Sequence, residues 1–154
     1  MPAIYEFCHV VQDDEIDPQG HVNNLEYLKW MQTAAVDHSA AQGWPGKRYR
    51  EIGGGWVARK HTIEYLQPAF AGEKIIVRTW VAGFRKVSSL RKYRVVRPTA
   101  DTDGDGNEAE TVLAVAETLW AFIGLQRHVP RRIPPEVVDA FDIVAAEPGG
   151  GFPE

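Results

Sequence analysis

Apolar residues follow two kinds of spacing along this chain, and the change from one to the other divides it. Between Ala3 and Val11, the residues Ile4, Phe7, Val10 and Val11 stand among polar neighbours in a weak alternation that predicts a short strand. From Leu25 to about Gln42 there is neither Pro nor Gly. In that stretch Leu25, Leu28, Met31 and Ala35, joined by Tyr27, Trp30, Ala34 and Val36, make an apolar surface wider than one stripe. A long and largely covered helix is expected there. Gly43-Trp44-Pro45-Gly46 ends it, and a polar stretch from Lys47 to Glu51 leads into Gly53-Gly54-Gly55, which reads as a flexible entry.

After the glycines the period becomes two. Trp56 to Gln67 alternates through Val57, His61, Ile63 and Tyr65 and stops at Pro68. Glu73 to Phe84 and Val87 to Arg97, separated by a short Arg-Lys connection, predict a hairpin. Thr111 to Gly124 is apolar on both sides, as in a strand buried on both faces. Pro134-Pro135 followed by Glu136 to Phe141 suggests a short helix. The order is strand, long helix, then four strands with hairpin-length connections. That is an α+β pattern, in which about five antiparallel strands curl around one helix. A sheet with a single helix leaves apolar strand faces open, so pairing with a second copy is expected.

Length and composition suit a single domain over residues 1–142, with Pro148-Gly149-Gly150-Gly151 in a flexible tail over 143–154. No run approaches the ~18 apolar residues of a membrane span. MPAIYEFCHV lacks the basic start and cleavage site of a signal peptide, so a cytoplasmic protein is expected. The net charge of −4 argues against general nucleic-acid binding. Cys8 is the only cysteine, so no internal disulfide can form, and it reads as a buried, inert thiol. His9, His21, His38, His61 and His128 show no helical pair spacing, and no metal or other cofactor is expected. Ser39, Ser88 and Ser89 lie in no nucleophile elbow. Asp101-Thr102-Asp103-Gly104-Asp105-Gly106 imitates a calcium loop, but Val112 stands where the bidentate Glu belongs, and the run reads as a solvated hairpin loop.

The candidate chemistry is at Asp17-Pro18-Gln19-Gly20-His21-Val22-Asn23-Asn24, just before the helix. An acid with Pro and Gly is a turn signal, and Asn23 or Asn24 can cap the helix. The first N–H groups of a helix have no internal partner and can polarise an oxygen that gains charge while a nearby carboxylate acts on the same group. This motif, with Tyr27 and the long helix after it, resembles the signature of hotdog-fold acyl-CoA thioesterases of the 4-hydroxybenzoyl-CoA thioesterase class. The strand end Ile63-Glu64-Tyr65-Leu66-Gln67-Pro68, the Gly72-Glu73 that follows and the final long strand extend the resemblance over roughly residues 4–125.

The resemblance implies a hotdog fold and hydrolysis of an acyl thioester of CoA or of acyl carrier protein, at sites shared in a homodimer or a tetramer of dimers. It makes Asp17 the nucleophile or the general base, assigns the Asn24 N–H to the thioester oxygen, and gives Gly20 the close approach of backbone to the acyl group. His-Val-Asn-Asn is also similar to plant acyl-ACP thioesterases, in which a His at the place of His21 is catalytic. Gln19 replaces their Asn, however, and Gly53 to Gly55 offers no further acid, so a catalytic and a packing role for His21 both stand. Arg85-Lys86-Val87-Ser88-Ser89 resembles the segment that holds the nucleotide phosphates of CoA, with Arg85, Lys86, Ser88 and Ser89 as ligands, while Tyr27 is a candidate for the acyl pocket. Two rivals remain, a dehydratase on the same fold and a non-enzymatic acyl-CoA binding module.

Overall fold

The computed structural model describes residues 3–102 and 108–145. Most of the acidic loop after Thr102 and the glycine-rich tail from residue 146 lie outside them. Five strands form one antiparallel sheet: β1 (Tyr5–Val10), β2 (Gly54–Tyr65), β3 (Lys74–Phe84), β4 (Ser88–Thr102) and β5 (Glu108–Gly124). Helix α1 spans Asn24–Ala41, α2 Gly46–Glu51 and α3 Pro135–Asp139. The order across the sheet is β1-β3-β4-β5-β2.

The curled sheet and its long helix follow the expectation, but the connectivity differs in one respect. β2 and β3 are not neighbours, because β2 pairs with β5 at the far edge from β1. The segment 66–73 therefore crosses from one edge of the sheet to the other. Backbone bonds hold it at both ends: Leu66 and Gln67 N–H donate to the Leu113 carbonyl, and Gly72 N–H donates to Val11. Arg97 adds a bond to the Pro68 carbonyl and an ion pair with Glu73 at 3.0 Å.

Helix α1 buries Tyr27, Trp30, Met31, Ala34, Ala35 and His38, the three- and four-residue spacing of one covered face. These pack with Ile75, Val77, Tyr93, Val95, Ala114 and Ala116, which occupy alternate positions of the inner sheet face. The coverage is narrower than the sequence predicts, since Leu25 and Val36 remain 65% and 60% exposed on the outer face of α1. Cys8 is exposed as well, contrary to expectation. In β1 the side chains alternate, Phe7 and His9 lie on the more covered side, and Cys8 falls on the other.

Two further differences concern residues 46–55. Lys47 to Glu51, read as polar connection, belongs to α2, which buries Tyr49 against Trp44. The three glycines are not a flexible entry. Gly53 ends a turn with φ of +71°, whereas Gly54 and Gly55 pair with Gly124 and Ile123 inside the sheet. A Cβ on Gly54 would lie 2.4 Å from the ring of buried Phe122, so glycine there is a packing requirement. Replacing Gly54 by Ala is therefore expected to cost about 1–3 kcal/mol as over-packing. Gly124→Ala, whose added carbon meets nothing within 4 Å, should cost less. Urea denaturation of the two variants checks the difference, and equal midpoints would refute the packing account.

Candidate active site

Residues 17–20 close as a tight turn, with Gly20 N–H donating to the Asp17 carbonyl at 3.0 Å and Asp17 N–H to the His21 carbonyl at 2.8 Å. Pro18 supplies the preset φ of its second position, and Gly20 adopts a φ of +92° that other residues rarely hold. Space around Gly20 is open, so it is the φ that requires glycine. The Asp17 carboxylate is oriented by its own turn: Oδ1 accepts the Gln19 N–H at 2.9 Å, and Oδ2 lies 3.5 Å from Nδ1 of His21.

Two anchors fix this turn to the body of the protein. On one side Val22 N–H donates to the carbonyl of buried Ala69 in the crossing segment. On the other, Asn23 N–H donates to the Glu15 carbonyl at 2.9 Å. Glu15 is itself buried, and its carboxylate accepts from the Gln12 N–H at 2.8 Å and from Trp30 Nε1–H on α1 at 2.8 Å, and meets His9 Nε2 on β1 at 2.7 Å. Burial pushes the Glu15 carboxyl up, but the bonds from Gln12, His9 and Trp30 outweigh it and hold the group below its ordinary 4.5. Nothing in the sequence singled out Glu15, since an Asp-Asp-Glu run ordinarily reads as a solvated face.

Asn23, not Asn24, caps α1: its side chain accepts the Leu25 N–H at 3.0 Å. Asn24 is thus the first helical residue. Its N–H has no hydrogen-bond partner among the described residues, while its carbonyl accepts from the Tyr65 hydroxyl at 2.9 Å. A cleft of about 180 Å³ opens here between the start of α1 and the end of β2, lined by His21, Asn24, Tyr27, Tyr65 and Gln67 among others. Tyr27 is buried edge-on to Tyr65, and desolvation pushes its phenol up to about 12, so it stays protonated. Tyr65 is a neighbour of this cleft that alternation alone could only assign to a strand.

His21, Asn24 and Tyr27 line this cleft, and Asp17 and Gly20 lie in the turn that closes on His21. The structure does not bring Arg85, Lys86, Ser88 and Ser89 there within one chain. β3 runs away from the motif for eleven residues, roughly 35 Å, before the tip that carries Arg85 and Lys86. Both cations are exposed, and the Arg85 N–H closes the tip on the Ser88 carbonyl at 2.8 Å. Ser89 departs from its expected place, because it is buried and donates to the Gly83 carbonyl at 3.2 Å. Of the other histidines, His9 meets Glu15, His38 meets Arg91 and His61 meets Thr118. Among the described residues no helix is long and apolar enough to cross a membrane.

The family model of the Thioesterase-like superfamily matches residues 10–141. Among solved structures, the 4-hydroxybenzoyl CoA thioesterase of Pseudomonas sp. strain CBS-3 is 17% identical. It aligns over 90% of this chain and 99% of its own, with a TM-score of 0.79. A 1,4-dihydroxy-2-naphthoyl-CoA thioesterase from Synechocystis is 15% identical, covers 89% of this chain and 94% of its own, and gives 0.74. A hypothetical protein from Thermus thermophilus is 25% identical over 89% and 96%, with a TM-score of 0.75. The two thioesterase likenesses show a shared fold.

The Glu15 anchor has a measurable pH signature. A carboxylate held below its unfolded value contributes stability that is fully present above about 4.5 and is lost as pH falls through the folded value. Glu15→Gln should cost about 1–3 kcal/mol near neutrality, because buried donors lose their charged acceptor. On acidification below about 4.5 wild type and variant should converge. Urea titrations over that range check it, and a gap independent of pH would contradict the assignment.

Proposed function

Because the chain belongs to the Thioesterase-like superfamily, we propose that it hydrolyses an acyl-CoA thioester at the Asp17 turn. The observation that carries this reading is the pairing of a fixed carboxylate with an unpartnered N–H at the start of an eighteen-residue helix, beside one cleft. The thioester oxygen accepts the Asn24 N–H, and the positive end of the α1 dipole stabilises the charge that develops on it. Asp17 then either attacks the carbonyl carbon through Oδ2, expelling the CoA thiolate and leaving an anhydride that water cleaves, or removes a proton from the water that attacks. Both routes yield free acid and thiol. His21, beside Oδ2, orients the carboxylate.

The CoA reading depends on a second copy. β2 is an edge strand, and Val57 and Tyr65 on it, like Leu25 and Val36 on α1, are exposed apolar residues. Pairing β2 with its twofold mate would cover the edge and this surface. The two sheets would then run in opposite directions, so the Arg85-Lys86 tip of one copy would lie at the same end as the Asp17 turn of its partner. The cations would meet the nucleotide phosphates there, with Ser88 beside them.

Asp17→Asn keeps the turn's acceptor and removes the charge, so turnover should fall at least ~10²-fold while the fold survives. Near wild-type turnover in a folded Asp17→Asn protein would remove Asp17 from the chemistry. Light scattering should find a dimer or larger assembly, and a fully active monomer would contradict the shared arrangement. Replacing Arg85 and Lys86 by Ala should raise KM for acyl-CoA with little change in kcat, and should not affect a pantetheine thioester, which lacks the nucleotide. Equal losses on both substrates would make the tip structural.

A further inference from the structure

A cavity larger than the cleft beside the Asp17 turn lies elsewhere in the protomer. It measures about 350 Å³, within the ~300–1,000 Å³ common for small-molecule sites. It sits against the C-terminal half of α1, among aromatic walls that include Trp44, Trp56, Phe84 and Phe141. Asn24 and Ser39 are fifteen positions apart on the helix, about 22 Å at ~1.5 Å per residue.

Of the polar groups that line this cavity, Arg50 is exposed to solvent and the serines are engaged within the protein. Ser39 donates to the Trp44 carbonyl at 2.7 Å and accepts from the Tyr49 hydroxyl at 2.9 Å, while Ser89 is bonded to Gly83. Arg91 is different. It is 6% exposed, and its Nη1 lies 2.9 Å from Nδ1 of His38 and 3.0 Å from Oγ1 of Thr79, neither of them an anion. The Thr79 hydroxyl in turn donates a hydrogen bond to the Lys92 carbonyl. Among the described residues no carboxylate pairs with this guanidinium, whose remaining N–H groups have no protein acceptor. Desolvation lowers its pKa, but an arginine remains charged. The carbonyl end of α1, where His38 lies in the last turn, offers only about half an opposing charge. A buried cation so placed lacks its counter-ion.

We propose that this cavity binds an apolar ligand that ends in a carboxylate, which pairs with Arg91 while the body of the ligand lies among the aromatic walls. Such a carboxylate belongs either to a free acid or to the far end of a dicarboxylic acyl group whose thioester is cleaved at the partner's Asp17 turn. The second source rests on the proposed hydrolase reading and its dimer. The first does not.

Trp44, Trp56 and Trp120 line the cavity, so intrinsic fluorescence reports its filling. Titration with 4-phenylbutanoate and with 4-phenylbutanamide should show the acid binding at least ~10-fold more tightly, as a charge-assisted bond requires. Sodium chloride at matched ionic strength should not reproduce the change. Arg91→Met should abolish the preference for the acid, and Arg91→Lys should keep part of it. Removing an unpaired buried charge is not expected to unfold the protein. If Arg91→Met nevertheless fails to fold, the acid-to-amide ratio of the wild type decides alone. Equal binding of acid and amide, or binding of neither, overturns the proposal.

Turnover of adipoyl-CoA and hexanoyl-CoA separates the two sources. An adipoyl preference of ~10-fold or more in kcat/KM that Arg91→Met removes assigns the carboxylate to the substrate. Equal turnover with intact binding of 4-phenylbutanoate assigns the cavity to a free acid. Binding without turnover of either thioester supports the cavity and counts against the hydrolase reading.

Discussion

The buried carboxylate of Glu15 is the constraint on which the geometry of the candidate site depends. Its oxygens join β1 through His9, α1 through Trp30 and the preceding turn through Gln12, and its backbone carbonyl receives Asn23, the cap of α1. Strand, helix and the Asp17 turn are therefore fixed to one point. A charged group that is 8% exposed is tolerated there because its donors come from elements packed for other reasons. The Asp17 turn, with exposed Pro18, Gln19 and Gly20, owes its rigidity to neighbours on both sides, Glu15 before it and Ala69 across from it.

Periodicity carried most of the fold. The apolar stripe of α1, the alternation in β2 and β3 and the double-sided β5 are direct consequences of which faces are buried, and each appears within a few residues of its expected place. The Asp-Pro-x-Gly turn was legible because Pro and Gly have conformations of their own. What alternation cannot give is which strand lies beside which. Residues 66–73 look like any short connection, and only the bonds to Leu113 and Val11 reveal the crossing. Gly54 was misread for a related reason: a glycine needed against Phe122 and one in a loose linker are identical in sequence. Glu15 and Arg91 escaped notice because a charged residue reads as exposed until the structure buries it. Ser89 was grouped with Ser88 by adjacency, although neighbours in a strand face opposite sides and the Ser89 side chain is buried.

A single helix serves two opposite electrostatic environments. Its first turn leaves an N–H without a partner at Asn24, and its last turn holds His38 against the guanidinium of Arg91. Between these ends its inner face is apolar and uninterrupted, which keeps the two environments separate within a protomer. The arrangement of the sheet serves the same division. The crossing segment buttresses the first turn, while α2, α3 and the glycine-started end of β2 gather around the last.

The strand order also sets a schedule for a chain that emerges from its N-terminus. β1 has no neighbour until β3 exists, and β2 has none until β5 begins, its last pair closing only at Gly124. During that interval α1 lacks part of its sheet, and Tyr27, Trp30 and Met31 have no completed inner face to cover them. The meander of β3, β4 and β5, by contrast, pairs strands adjacent in sequence and closes as each is added. In a growing chain the Asp17 turn is therefore among the first segments synthesised and among the last to gain all its supports, and the exposed helix is the surface that a chaperone would meet.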